Sequence, residues 1–138
     1  MKVFNLITLL ACLQLVACQS PGSNNSKATT TDTQKTVSSI YERLDVQQFQ
    51  TKLTAEKKPQ LIDVRTPEEY AQGNIKGSVN LNFYDADFDK NLSQLDKTKA
   101  VFVYCQSGKR SRKTAEKLQQ MGFKEIYELK TGYMGWEH

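Results

Sequence analysis

The sequence predicts an α/β fold, an open parallel sheet flanked by helices. Two observations carry that prediction. Over residues 40–138, short apolar runs of strand length alternate with stretches of helical period bounded by capping residues. Strands separated by helices need right-handed crossovers, and such crossovers make the sheet parallel. At 138 residues the chain has room for one domain of this kind and not comfortably for two.

Each element has its own signal. Residues 40–44 read as a first strand. Asp45 N-caps the next helix, Gln48 completes a capping box, and Val46, Phe49 and Leu53 fall on one face. Lys57, Lys58 and Pro59 break that helix, and residues 61–64 (LIDV) form a short buried strand. Thr66, Pro67 and Glu69 open a short helix that ends near Gly73: an N-cap, a proline at the first helical position and a capping-box acid. Residues 79–81 are a third strand, and residues 85–95 are an acidic, partly amphipathic helix. Residues 100–104 (AVFVY) are the clearest buried strand. Residues 111–121 form a helix that turns Ala115, Leu118 and Met121 inward and stops at Gly122. Residues 125–129 are the last strand.

Residues 1–39 have a different character. After Lys2 the first 17 residues are uncharged and mostly apolar, too short and interrupted to span a membrane well but suited to an export signal. The run ends Leu15-Val16-Ala17-Cys18, which resembles a bacterial lipobox. That resemblance implies removal of residues 1–17, lipidation of Cys18 and anchoring in the cell envelope. Gln19, where Asp would be expected of a lipoprotein kept in the inner membrane, favours the outer membrane if there are two. The alternative is a plain secretory signal with an incidental Cys18. Fourteen of residues 19–39 are Ser, Thr, Asn or Gln, too polar to offset the entropy of ordering, so the stretch reads as a spacer. The expected organisation is a signal peptide at 1–17, a lipidated N-terminus and flexible linker at 18–39, and a folded domain at 40–138.

Composition excludes several functions. Three Cys and one His cannot build a zinc ribbon or finger. A net charge of +4 is too weak alone to argue for a nucleic-acid partner. Signal removal would delete Cys12 and lipidation would use Cys18, leaving Cys105 as a single thiol with no disulfide partner within the domain. The one histidine, His138, stands at the extreme end, which argues against a Cys–His protease pair.

Cys105 follows the most apolar strand and precedes a helix, at the sheet edge where ligands of open α/β folds bind. The loop reads Cys105-Gln106-Ser107-Gly108-Lys109-Arg110. A thiolate is the reactive form of cysteine, and free N–H groups at a helix start favour it, as do cations. Lys109, Arg110, Arg112 and Lys113 crowd this end, and Gly108 permits a backbone turn that a side chain would hinder. The pattern describes an anion cradle closed over a nucleophilic sulfur. Asp63 and Arg65 end the second strand, so they reach the same sheet edge. A charge-assisted bond between them, or to the loop, makes structural support their expected role.

At these residues the chain resembles the rhodanese family. Cys105 to Arg110 match its six-residue active-site loop, C-x-x-G-x-[RK]. Asp63-Val64-Arg65 through Glu69-Tyr70 match D-V-R-x-x-x-E-[FY]. Residues 73–80 match G-H-I-x-G-A-x-N with Asn74 for His, and residues 131–136 resemble G-G-x-x-x-W with Thr131 for the first Gly. The motifs stand in the family's order over nearly all of residues 40–138. The resemblance implies a rhodanese-like sheet and a persulfide relay. Cys105 would take a sulfane sulfur from a small anionic donor such as thiosulfate and pass it to cyanide, another thiol or a protein acceptor. The N–H groups of residues 106–110 would hold the sulfur anion, and Lys109 and Arg110 would attract and orient the donor. It also implies no metal and no organic cofactor. In the family the histidine replaced by Asn74 is mostly structural, so that departure leaves the chemistry intact.

Two other readings share these residues. Phosphatases and arsenate reductases of the same fold use C-x5-R, one residue longer. Here Arg110 is five positions after Cys105 and Ser stands at 111. An envelope thiol redox or sulfur-relay binding module would use the same cysteine without turning over thiosulfate.

Overall fold

The structure, a computed structural model, describes residues 38–136. The expected signal peptide, Cys18, most of the spacer and His138 lie outside the described residues. Ile40–Leu44 is β1, Val46–Ala55 α1, Gln60–Asp63 β2, Pro67–Ala71 α2 and Val79–Asn80 β3. Phe88–Ser93 is α3, Val101–Tyr104 β4, Lys109–Gln120 α4, Glu125–Leu129 β5 and Tyr133–Trp136 α5.

Local chemistry sets the helix starts. Asp45 accepts the Gln48 N–H at 2.8 Å, and the Gln48 side chain accepts the Asp45 N–H at 3.2 Å. Thr66 and Glu69 close the same reciprocal pair at 3.3 and 2.9 Å. Three elements differ from the sequence expectation. The acidic stretch is helical only from Phe88. Asn82 donates to the Asp85 carboxylate at 2.7 Å and closes a turn, and Asp87 supplies no side-chain cap. Helix α4 begins two residues early, because Gly108 takes the left-handed conformation (φ 84°) and starts it at Lys109. The short helix α5 had no periodic signal to announce it.

The five strands lie in the order β1-β5-β4-β2-β3, and every pair is parallel. Strand β4 sits in the middle, and each of its residues is buried. Alternation sends Val101 and Val103 to one face, where Ala115 and Leu118 of α4 and Phe88 and Leu92 of α3 cover them. Phe102 and Tyr104 face the other way, onto Phe49 of α1, whose ring meets Phe102 edge-on at 5.4 Å. Helices on both faces are what a buried parallel sheet requires.

The register brings three strand ends together. Asp63 of β2 stands opposite Tyr104 of β4, and Glu128 of β5 stands opposite Val103. Cys105, one residue past β4, therefore emerges between the segment that leaves β2 and the segment that leaves β5.

Candidate active site

Cys105 is buried, with 1% of its surface exposed, and it is the free cysteine among the described residues. Its carbonyl accepts the Tyr133 N–H at 2.7 Å, and the Gln106 carbonyl accepts the Met134 N–H at 3.1 Å. The chain leaving β5 thus runs against the loop that leaves β4. Two glycines make that approach fit. A Cβ at Gly132 (φ 65°) would collide with the Cys105 and Gln106 carbonyls, and one at Gly108 would collide with the Lys130 carbonyl.

The backbone N–H groups of Gln106 through Ser111 donate to no other group among the described residues. Three of the six belong to the first turn of α4, where helical geometry leaves donors unpaired. The others precede the helix in the turn around Gly108. Helix α4 has no side-chain N-cap, so no side chain consumes these donors. The sequence therefore places six successive donors after one buried thiol.

Arg65 is almost wholly buried and holds the loop from the β2 side. Its Nη2 meets the Asp63 carboxylate at 2.7 Å and the Gly73 carbonyl at 2.6 Å, and its Nη1 meets the Gln106 side-chain oxygen at 3.2 Å. The guanidinium stacks on Tyr133, 4.0 Å from the ring centre. Burial opposes the charge on Arg65, and the bonds to Asp63 outweigh it, so the group is held protonated more firmly than usual. Asn80 donates to the Asp63 and Arg65 carbonyls at 3.0 and 2.9 Å, which fixes the backbone of the pair.

Arg110 is committed rather than free. It forms a fork on Glu69, with both bonds at 2.7 Å. That bond raises its basicity, and the nearby Cys105 sulfur and Tyr84 add smaller contributions. The Glu69 carboxyl is held down at about 2, chiefly by Arg110. The orienting role the resemblance implies for Arg110 thus meets a partner already in place. Lys109 is exposed, as is Ser107, whereas Gly108 is buried. Trp136 packs edge-on against Phe49, 6.2 Å between ring centres, and belongs to the core under α1. Asn74 lies on the surface, its amide 3.4 Å from the Tyr70 carbonyl.

Sequence reasoning missed Glu128, Tyr41 and Arg43. Glu128 is fully buried and accepts Tyr41 Oη at 2.7 Å, Arg43 Nε at 2.7 Å and Ser111 Oγ at 3.1 Å. A charge inside the last strand, otherwise apolar at Ile126 and Leu129, was the available signal. Two of its partners, Arg43 and Tyr41, lie 85 and 87 positions away, and Ser111 lies 17 away. Among the described residues no cluster of His, Cys, Asp and Glu could hold a metal ion, and no helix is long and apolar enough to cross a membrane.

The profile described as the rhodanese-like domain matches residues 45–138. The chain belongs to the rhodanese-like domain family. A sulfurtransferase of Allochromatium vinosum is 30% identical to this rhodanese-like domain protein over 97 residues, 70% of this chain and 89% of that protein. The Bacillus subtilis protein YqhL is 41% identical over 80 residues, 58% of this chain and 62% of its own length. The chain thus spans less than two thirds of that relative. A rhodanese-like domain protein from Staphylococcus aureus superposes with a TM-score of 0.61 at 27% identity, covering 69% of this chain and 90% of that one.

Proposed function

We propose that this rhodanese-like domain is a sulfurtransferase that carries a sulfane sulfur as a persulfide on Cys105. The observation that carries the reading is the run of six unpaired N–H donors directly after the buried thiol. Such a run has no role in a merely structural cysteine loop, and it suits an anion formed at the sulfur.

The Cys105 thiolate attacks the outer sulfur of thiosulfate. The sulfur–sulfur bond of the donor breaks, sulfite leaves with the bonding pair, and the enzyme holds Cys105–S–S⁻. Cyanide or a thiolate then attacks the terminal sulfur, and the Cys105 thiolate returns. Each half is a simple displacement, so ping-pong kinetics follow. The N–H groups of residues 106–110 stabilise the persulfide anion, and Lys109 favours approach of a dianionic donor. At 1% exposure the thiol admits a slim terminal sulfur more readily than a bulky disulfide. Arg110 is occupied by Glu69, which disfavours phosphate binding and hence the phosphatase reading.

The same proposal places the domain at the cell envelope, tethered through lipid on Cys18 with residues 19–39 as spacer, and admits a protein thiol there as a sulfur acceptor.

Mixing the protein with thiosulfate tests the chemistry. The Cys105 peptide should gain the mass of one sulfur atom, cyanide should remove it as thiocyanate, and Cys105→Ser should do neither because a hydroxyl cannot form a persulfide. A folded wild type that never loads sulfur favours the redox or relay module. Loading that persists in Cys105→Ser sinks the mechanism.

A further inference from the structure

Helix α4 starts without a side-chain cap, yet it carries the donors that surround Cys105. A capping Ser or Asp would fix its first turn by occupying one of those N–H groups. Two carboxylates grip the turn in another way. Glu69 holds Arg110 on one side, and Glu128 holds Ser111 on the other. Neither contact consumes a backbone donor.

Glu128 is the less obvious of the two. It lies on the α4 face of β5, two residues after Ile126, where an apolar side chain would be the default. A buried carboxylate is unfavourable unless its oxygens are well bonded. Here Ser111 bonds one oxygen, and Tyr41 and Arg43 bond the other. Arg43 also reaches the loop itself, since its Nη2 lies 3.7 Å from where a Cβ on Gly108 would be. Two of the three donors on Glu128 therefore lie in or beside the segment that supplies the N–H cradle.

We propose that Glu128 is a positioning residue for the Cys105 loop. It aims the N–H groups of residues 106–111 by fixing Ser111 and by setting Arg43 against Gly108. The proposal rests on the reading of that loop as a sulfur-anion site. Tyr41 supplies the internal control, because its hydroxyl bonds Oε2 of the same carboxylate and leaves the Ser111 bond to Oε1 in place.

Four variants of the full chain decide it: Glu128→Gln, Ser111→Ala, their double mutant and Tyr41→Phe. Melting temperature, kcat and KM for thiosulfate, and the iodoacetamide alkylation rate of the Cys105 peptide are measured on each. Small displacements of positioning groups are costly, so Ser111→Ala and Glu128→Gln should each lower kcat/KM about tenfold, mostly in kcat. The double mutant should be no worse than Glu128→Gln, since Ser111 acts through its bond to Glu128. Tyr41→Phe should lower the melting temperature yet keep kcat/KM within about twofold. Wild-type kcat/KM in Ser111→Ala, losses that multiply in the double mutant, or an equal loss in Tyr41→Phe would each overturn the proposal. Should Glu128→Gln fail to fold, Ser111→Ala against Tyr41→Phe still decides. If wild type loads no sulfur, the transferase reading fails by itself. Alkylation rates then decide the positioning role alone: slowed in Ser111→Ala and unchanged in Tyr41→Phe supports it, and equal rates refute it.

Discussion

Arg110 reaches back 41 positions to Glu69 and closes a two-bond fork, Nη1 to Oε2 and Nη2 to Oε1, each at 2.7 Å. The fork ties the first turn of α4 to the first turn of α2. It also matches the charge of Arg110 locally, so the arginine acts as a clamp on the loop while Lys109 remains exposed.

The clamp should titrate. The Glu69 carboxyl is lowered from 4.5 to about 2 in the folded chain, first by the Arg110 bond. A depressed acid contributes stability that is fully present above its unfolded pKa and is lost as pH falls through its folded one. The melting-temperature gap between wild type and Glu69→Gln should be constant from pH 7 to about 5 and close between about 4.5 and 2. A gap that stays constant to pH 2.5 would show that the ion pair adds nothing.

Removing Arg65 should cost far more than removing a surface arginine. Its side chain and that of Asp63 are 2% and 0% exposed, so Arg65→Met leaves a buried carboxylate without its cation. Breaking such a pair from one side costs about 3–5 kcal/mol. Urea denaturation should report a loss of that size, and a loss below about 1 kcal/mol, the range of an exposed pair, would contradict the buried geometry.

With Arg110 neutralised, steering of an anionic donor falls to exposed charge. Lys109→Ala should lower kcat/KM for thiosulfate about threefold at low ionic strength, and the difference should vanish near 1 M salt, where the screening length is about 3 Å. A salt-independent deficit would mean that Lys109 touches the donor instead of attracting it.

The envelope location is tested upstream of the fold. Cys18→Ser should abolish fatty-acid labelling and release the protein from the membrane fraction. Wild type that carries no label and fractionates away from membranes would remove the lipid anchor from the proposal.

Much of this protein is legible in its sequence, for a physical reason. Strand and helix positions depend on neighbours a few residues apart, and both capping boxes close within three positions of their caps. The buried run at 101–104 needs no partner to be recognised as a central strand. Cys105, Gly108 and the basic start of α4 are consecutive, so the thiol and its anion-binding loop are visible together.

What the sequence by itself determined, then, is the order of elements, the parallel class of the sheet and the place of the thiol at a strand end. The strand order β1-β5-β4-β2-β3 belongs to the tertiary structure alone, as does the assignment of each cation near the loop. Arg110 reads as a donor-facing charge until Glu69 arrives from 41 positions away. Arg43 and Glu128 read as unrelated surface and strand residues until β1 and β5 lie side by side and bring them within 2.7 Å. Local signals act through the backbone over a few ångströms, whereas a charge takes its role from whatever the fold places beside it, and long-range pairing is the part of folding that no short stretch of sequence encodes.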